Sequence, residues 1–437
     1  MSAAASAVRR RLLRGHEAGL WTDPEVRALR ITGAVDHQRL RAAIHEVTAA
    51  LPALRFGYTA LPHLMEPQPV ERPATVAHHD LADERDPQQA CVGLLDIDRR
   101  KATDPVRDAL VRFHIARLAE QEWVLGLVAD PLALDLRSVY QVLGAVVQAY
   151  LGRFRPDEHP EAAHAVASTV PGTPRWRWWE RRLSTWTGRE PLSAVVRTST
   201  SAANAQRTAI LPLDGRTWAR LTSLTDDAGN AGTLSIVALL MMWLRAQQGA
   251  GGPAVFGGTL DLRDLLGLGA AVGPLTERIV YEVDQTDVDQ LSFPGVVRRV
   301  HAGMLDAVVH HTAYDDLIAI ADACSAPSPD QYADIVVHYC RTPPASGHTR
   351  DDPGLRRYGL SIELFAESDL ASPRRPEDVR PAGAAAVELR VAEHGTGMAL
   401  LVDHDAARVS PAVVDGLLSD LGSMIPRFGA TPAVPPS

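Results

Sequence analysis

A group of potentially reactive side chains follows an apolar stretch in the first third of the chain. Residues Trp123–Val128 are apolar enough to predict a buried strand. Asp130 comes directly behind this strand and could act as a general base, because an apolar environment raises the pKa of a carboxyl group. Ser138 could donate a hydrogen bond to a developing oxyanion, and Arg137 could bind a phosphate or carboxylate. The residue types and their spacing therefore suggest acid–base chemistry at the end of the strand.

Each of these residues also has a structural interpretation. Asp130 could be a solvated or salt-bridged acid on a loop, and Arg137 an ordinary surface arginine. Ser138 could cap a helix that begins near Val139. The sequence leaves these alternatives open.

The elements that position this segment are predicted from hydrophobic spacing. Residues Ala109–Leu118 alternate like a half-buried strand, and helical spacing resumes at Val139. Residues Asp36–Val47 predict an earlier helix with Asp36 as its N-cap, whereas the polar, proline-rich segment Met65–Gln89 predicts loops.

The second half of the chain repeats the alternation of helices and strands, which indicates an α/β (α+β) fold. At 437 residues the chain predicts two domains. We expect a flexible arm at 1–15, an N-terminal lobe at 16–160, a linker at 161–176 and a C-terminal lobe at 177–430. Helices are expected at Thr233–Gln248 and Pro294–His310, and strands at Ala254–Thr259, Ile335–Tyr339, Ser361–Ala366, Val387–Val391 and Met398–Val402.

Composition excludes several classes of function. The net charge of -9 argues against a protein that generally binds nucleic acid or anionic membranes. The longest apolar run, Ile236–Leu244, has nine residues and is too short to span a bilayer. Three widely separated cysteines predict a cytoplasmic protein without a disulfide framework. His78 and His79 with Asp80 look like part of a metal site, but no third ligand has suitable spacing, so no metal is predicted.

Residues 130–138 resemble the signature His-His-x-x-x-Asp-Gly-x-Ser of the condensation domains of nonribosomal peptide synthetases. Asp135 takes the aspartate position and Ser138 the serine position. Asp130 and Pro131 stand where the family has two histidines, and Leu136 replaces the glycine. The second histidine of the family positions or deprotonates the attacking group, which a proline side chain cannot do because it has no titratable group.

Further segments resemble the same family in the same order, over nearly the whole chain. The chain is therefore identified as a free-standing member of the condensation-domain superfamily with a degenerate signature. The segments are Ala34–Ile44, Leu51–Arg55, Trp176–Leu183, Gly232–Leu240, Phe256–Arg263, Val272–Leu275 and His310–Ile318.

The resemblance implies two lobes like chloramphenicol acetyltransferase, set as a V-shaped pseudo-dimer with a central tunnel. Carrier-protein-bound thioesters would enter the tunnel from opposite faces and meet at the signature. In such a fold the signature aspartate is structural, which implies that Asp135 forms a buried pair with Arg263.

Two functions follow from the resemblance. One is an enzyme of bacterial nonribosomal peptide or polyketide metabolism that forms amides or esters, or cyclises an intermediate, from acyl or peptidyl thioesters. Asp130 and Ser138 would be its catalytic residues, and Arg137 would contact the substrate or the phosphopantetheine of a carrier protein, with no bound cofactor. The other is an inactive platform that recruits a carrier protein, another synthetase module or a tailoring enzyme. Pro131 favours the platform, and a free-standing chain favours the enzyme.

Overall fold

The protein is described by a computed structural model in which two mixed sheets are backed by helices. The described residues are 12, 24–59, 69–101, 103–159, 169–186, 206–223, 231–248, 253–326, 328–329, 333, 335–339, 353–365, 385–394, 397–406 and 408–429. This architecture confirms the predicted α/β fold class. The predicted arm except Leu12, and the first half of the predicted linker (161–168), lie outside the described residues, and the lobe boundaries stay predictions.

The strands are numbered along the chain. They are β1 (Glu25–Thr32), β2 (Phe56–Tyr58), β3 (Pro69–Glu71), β4 (Thr75–Asp80), β5 (Val111–Ala119), β6 (Glu122–Ala129), β7 (Gln206–Leu213), β8 (Ala254–Asp261), β9 (Thr276–Val283), β10 (Ile335–Tyr339), β11 (Ser361–Leu364), β12 (Val387–His394) and β13 (Gly397–Asp405).

The α-helices are numbered in the same way. They are α1 (His37–Ala50), α2 (Pro87–Arg100), α3 (Leu136–Tyr150), α4 (Pro174–Ser184), α5 (Gly215–Thr222), α6 (Ala231–Gln248), α7 (Leu262–Leu266), α8 (Phe293–Val309), α9 (Tyr314–Ala323), α10 (Pro353–Arg357) and α11 (Pro411–Gly429).

The first sheet has five strands in the order β11-β1-β6-β5-β4. Helices α1 and α3 pack on one of its faces, where Ile44 and Val142 are fully buried, and α2 covers the other face. The predicted N-cap of α1 is confirmed, because the Asp36 carboxylate accepts hydrogen bonds from the backbone N–H groups of Gln38 and Arg39. This sheet carries the signature segment, which connects β6 to α3.

The second sheet has six strands in the order β7-β13-β12-β10-β8-β9. Helices α6, α8 and α11 bury one of its faces. Leu239, Val296 and Leu421 from these helices pack with Phe256 and Leu389 of the sheet. The end of β8 and the start of β9 bring the residues around Arg263 to the signature segment.

Strand β11 comes from the second half of the chain but pairs with β1 of the first sheet. Leu355, Leu360 and Ile362 of this segment belong to the apolar core of the first sheet. Gly33, with φ of 125°, lies against the Gly359 carbonyl, where a Cβ atom would collide with the oxygen. The predicted strand at Ser361–Ala366 is therefore present over Ser361–Leu364, and it joins the two halves of the molecule.

The prediction of loops over Met65–Gln89 is wrong for most of its described part. Strands β3 and β4 and the first turn of α2 lie within it. Strand β4 is an edge strand that pairs in parallel with β5. Its residues are partly or fully exposed, so the sequence lacks the apolar alternation that indicates a strand.

Within the described part of the chain, no helix has both the length and the apolar character needed to cross a membrane.

Candidate active site

The backbone behind β6 forms a tight turn that begins at Asp130. The Asp130 N–H donates to the Leu110 carbonyl at 2.7 Å, and its own carbonyl accepts from Ala133 at 2.9 Å and from Leu134 at 3.1 Å. Its Oδ1 accepts from the Leu132 N–H at 2.9 Å. Pro131 is the first residue inside this turn and contributes no polar side chain.

The Asp130 carboxyl group is desolvated, and this changes its pKa. Burial raises its pKa to about 6, although the Leu132 N–H and the positive charge of Arg112 both favour the ionised form. The residue is nevertheless only half-buried. A desolvated carboxylate with a pKa near neutrality is suited to accept a proton.

Asp135 starts helix α3 and binds Arg263, as the resemblance implied. Its carboxylate caps the helix by accepting the Ser138 N–H at 2.9 Å. The two Arg263 Nη atoms donate to its two oxygens at 2.9 and 3.0 Å. The predicted ion pair is therefore confirmed, with the bidentate geometry that makes such pairs strong.

The Asp135 carboxylate also binds the strand that follows Arg263. The Leu275 N–H donates to it at 2.8 Å and the Thr276 hydroxyl at 3.1 Å. Burial opposes ionisation of Asp135, but Arg263 and these N–H donors outweigh it and hold its pKa below the ordinary value. The pair thus fastens the start of α3 to the β8–β9 connection.

Arg263 is fully buried and every nitrogen of its guanidinium has a partner. Nε donates to the Ala271 carbonyl at 2.7 Å, Nη1 also donates to Asp261 at 3.1 Å, and Nη2 to the Gly273 carbonyl at 3.1 Å. Sequence reasoning did not single out Asp261, Gly273 or Leu275. The signal available for them was the resemblance of the Phe256–Arg263 and Val272–Leu275 segments to the family.

The Ser138 hydroxyl is part of the same buried network. It donates to the Gly273 carbonyl at 2.8 Å and accepts from the Gly273 N–H at 2.9 Å and from Arg263 Nη2 at 2.6 Å. Its one hydrogen is therefore in use, which favours a structural role, while a catalytic role stays a prediction. The alternative that Ser138 caps the helix is wrong, because Asp135 is the N-cap.

Arg137 lies at the outer side of this network with 37% of its side chain exposed. It forms a salt bridge with Asp261 at 2.7 Å, so the same carboxylate contacts Arg137 outside and Arg263 inside. Its contact with a substrate or with phosphopantetheine stays a prediction.

Other histidines and tryptophans of interest lie elsewhere. His79 Nε2 is 3.1 Å from His114 Nδ1, and within the described residues no three potential ligands converge on a metal position. Trp179 and Trp186 are buried, and Trp178 stacks on His310 with ring centroids 4.2 Å apart. These tryptophans pack within the protein, as aromatic side chains commonly do.

The two mixed sheets and their helices, connected through the signature loop and its Asp–Arg pair, form a two-lobed fold of the chloramphenicol acetyltransferase type. Tallysomycin biosynthesis protein TlmII is similar in structure, with a TM-score of 0.75, 34% identity and coverage of 96% of this chain and 98% of that chain. The chain belongs to the condensation-domain superfamily.

More distant structures share the fold. SgcC5 from Streptomyces globisporus, in complex with a naphthyl ethanediol and sucrose, has a TM-score of 0.69 and 17% identity over 97% of this chain and 98% of that chain. A mutant starter condensation domain of rhizomide synthetase, in complex with C8-CoA and Leu-SNAC, has a TM-score of 0.69 and 14% identity over 98% and 94%. No protein-family model and no curated protein sequence matches the chain.

Proposed function

We propose that this protein is a condensation-type acyltransferase of bacterial nonribosomal peptide or polyketide biosynthesis. Its substrates would be acyl or peptidyl thioesters, presented on the phosphopantetheine of a carrier protein in the cytoplasm. The product would be an amide, an ester or a cyclised intermediate.

The observation that carries this proposal is the position of Asp130 in the signature together with the raised pKa of its carboxyl group. It stands at the first histidine position of the signature, and burial raises the pKa of its carboxyl group to about 6. Its Oδ1 accepts a hydrogen bond from the Leu132 N–H, and the residue as a whole is half-buried. Asp130 can therefore perform the proton transfer for which Pro131, at the second histidine position, has no suitable group.

The proposed step is acyl transfer with Asp130 as the general base. As the nitrogen of an amine bonds to the thioester carbonyl carbon, the Asp130 carboxylate accepts the proton that the nitrogen loses. The carbon–sulfur bond then breaks, and the thiolate leaves as a thiol after protonation from Asp130. A hydroxyl nucleophile would give an ester by the same sequence of bond changes.

Orientation of the two reactants would supply much of the rate. Holding reacting groups in an attack geometry can lower a barrier by about 7 kcal/mol or more. The Asp135–Arg263 pair keeps the signature loop in one shape, which such orientation needs. Arg137 could add a contact to the phosphopantetheine phosphate, because its side chain is partly exposed.

The similar proteins support a role of this kind. TlmII is named as a tallysomycin biosynthesis protein, and the rhizomide synthetase domain was crystallised with a coenzyme A derivative and Leu-SNAC. A carrier-type partner for this chain is proposed from these likenesses.

Pro131 favours a second candidate function, an inactive platform. A proline at the second histidine position removes that titratable side chain, and the Ser138 hydroxyl hydrogen is engaged by Gly273. Such a platform would keep the fold and recruit a carrier protein, another synthetase module or a tailoring enzyme.

The test is acyl transfer from a carrier-bound thioester, followed by mass spectrometry of the carrier with and without the protein. A general base contributes about 10²–10⁴-fold, so Asp130→Asn should reduce turnover by that factor with folding intact. Pro131→Ala should leave turnover within a few-fold, because its side chain performs no chemistry in the proposed step. Asp83→Asn, at an exposed site on another loop, is the matched control and should have no effect.

The outcomes separate the two functions. A loss below about tenfold in Asp130→Asn would leave orientation as the source of rate and remove the base from the proposal. A wild-type protein that transfers no acyl group but binds the carrier or a tailoring enzyme would establish the platform instead.

A further inference from the structure

A row of polar side chains runs behind Asp130, on the face of the first sheet that α2 covers. It begins at Arg112 of β5, two residues after Leu110, whose carbonyl accepts the Asp130 N–H at 2.7 Å. Strands β5 and β6 pair in this region, with Val111 opposite Ala129. Arg112 and Asp130 therefore lie at the same end of two neighbouring strands.

The guanidinium of Arg112 is fixed in place by four hydrogen bonds. Nε donates to Asp98 Oδ2 at 2.8 Å, and Nη2 to the Asp98 carbonyl at 3.2 Å. Nη1 donates to the Thr103 hydroxyl at 3.3 Å and to the Ala109 carbonyl at 3.2 Å. Because only 9% of the residue is exposed, water screens its charge weakly.

Asp98 connects Arg112 to a pair of histidines. The same Oδ2 atom lies 2.9 Å from His114 Nε2, and His114 Nδ1 lies 3.1 Å from His79 Nε2. With His114 donating from Nε2 to the carboxylate, its Nδ1 accepts the hydrogen of His79 Nε2. Burial opposes ionisation of Asp98, but His114 and Arg112 outweigh it and keep the pKa of Asp98 below the ordinary value.

We propose that Arg112 is a positioning residue for Asp130, and that Asp98, supported by His114, sets how much of the Arg112 charge Asp130 experiences. This rests on the proposed function, in which Asp130 is the base. A cation near a carboxylate favours the ionised form, and an anion bound to that cation weakens the effect. The pair would thus keep Asp130 ionised enough to accept a proton and basic enough to hold it.

Other charged groups near the end of β6 have partners of their own. Strand β1 contributes Glu25, opposite Ala129 in the register, and Arg27, which donates to the Tyr140 hydroxyl at 2.8 Å. Asp135 on the helix side is neutralised by Arg263. The turn before β5 contributes Asp104, Arg107 and Asp108: Arg107 pairs with Asp104 at 3.7 Å, and Asp108 accepts the N–H of Asp104 at 2.9 Å. In contrast to these groups, Arg112 lowers the pKa of Asp130 through its charge.

The test is direct titration of the Asp130 carboxyl carbon by NMR, which needs no substrate. Arg112→Gln should raise the pKa of Asp130 and Asp98→Asn should lower it, each by roughly half a pH unit or more. The opposite signs are diagnostic, because general loosening of the loop would move both variants in the same direction. Arg112→Lys keeps the charge and should keep the wild-type titration.

The pH dependence of turnover should follow the titration. Its acid limb should move to higher pH in Arg112→Gln and to lower pH in Asp98→Asn. The matched control is Arg117→Gln, which removes an arginine from the other end of β5 that pairs with Asp80 at 2.7 Å. It should change neither measurement.

Two results would overturn the proposal: shifts of the same sign in Arg112→Gln and Asp98→Asn, or an Asp130 titration that neither variant changes. If Arg112→Gln does not fold, Asp98→Asn and Arg112→Lys still decide the matter. A wild-type protein without acyl transfer would remove the proposed function, whereas the carboxyl titration would still report on the coupling of Arg112 to Asp130.

Discussion

Asp130 illustrates a conflict between stability and reactivity at the scale of one residue. Burial raises the pKa of its carboxyl group from 3.8 to about 6. The folded protein therefore binds more protons here than the unfolded chain between these two pH values. Because of this difference, Asp130 lowers the free energy of unfolding progressively as the pH rises from about 4 to about 6, and the loss is complete above that range.

Removal of this charge should stabilise the protein. We expect Asp130→Asn to increase the free energy of unfolding by about 1–3 kcal/mol at pH 8 and by much less at pH 4. Water screens the charge of the half-buried carboxylate, and this screening moves the expected increase toward the low end of that range. Urea unfolding at both pH values measures the difference, with Asp83→Asn as the exposed control. Equal effects at pH 4 and pH 8 would contradict the assignment of a raised pKa.

At the scale of elements, one ion pair fastens helix α3 to the connection between β8 and β9. Asp135→Ala would leave the fully buried Arg263 without its bidentate partner, although Asp261 and two carbonyl groups remain near it. We expect a loss of about 3 kcal/mol or more in the free energy of unfolding. Thermal and urea unfolding of the variant test this value.

The matched control is an ion pair of similar geometry on the surface. Asp80 accepts two hydrogen bonds from Arg117 at 3.0 and 2.7 Å, and 64% of its side chain is exposed. Asp80→Ala should cost much less than Asp135→Ala, because water competes for exposed charges. Comparable losses in both variants would show that burial does not give the Asp135 pair its strength.

The elements differ in how well the sequence could predict them. Helix α1 was predictable because Leu40, Ile44 and Val47 follow the helical period and Asp36 precedes them as a cap. Strand β4 was not, because an edge strand with exposed side chains lacks the alternation of a half-buried one. The pairing of β11 with β1 could not be predicted either, since pairing between residues about 330 positions apart leaves no local signal in the sequence.

The candidate site was predictable to a similar, partial extent. The pairing of Asp135 with Arg263 followed from the family signature. The partners of the Ser138 hydroxyl did not, because Gly273 and Arg263 approach it from a distant segment of the chain. Nor could the sequence show that Arg112 and Asp130 lie at the same end of neighbouring strands, because this depends on the register of the two strands.

At the scale of the whole molecule, the two halves of the chain share a sheet. Residues 1–160 alone would lack β11 and the buried side chains of Leu355, Leu360 and Ile362. We expect this fragment to show no cooperative thermal unfolding by circular dichroism. Fusion of residues 353–365 to it through a flexible linker should restore a cooperative transition.

The control fusion replaces those three leucine and isoleucine residues by serine, which keeps the length and removes the apolar contacts. It should behave like the bare fragment. Cooperative unfolding of residues 1–160 without any fusion would show that β11 is dispensable for the first sheet.

Strand β11 also bears on how hybrids between relatives should be assembled. A chimera that takes residues before the linker from one parent and the rest from another would pair β1 of one parent with β11 of the other, and the close contact of Gly33 with Gly359 would have to be reproduced across the graft. A chimera with an intact first sheet should therefore take two separate segments, residues 24–159 and residues 353–365, from the same parent.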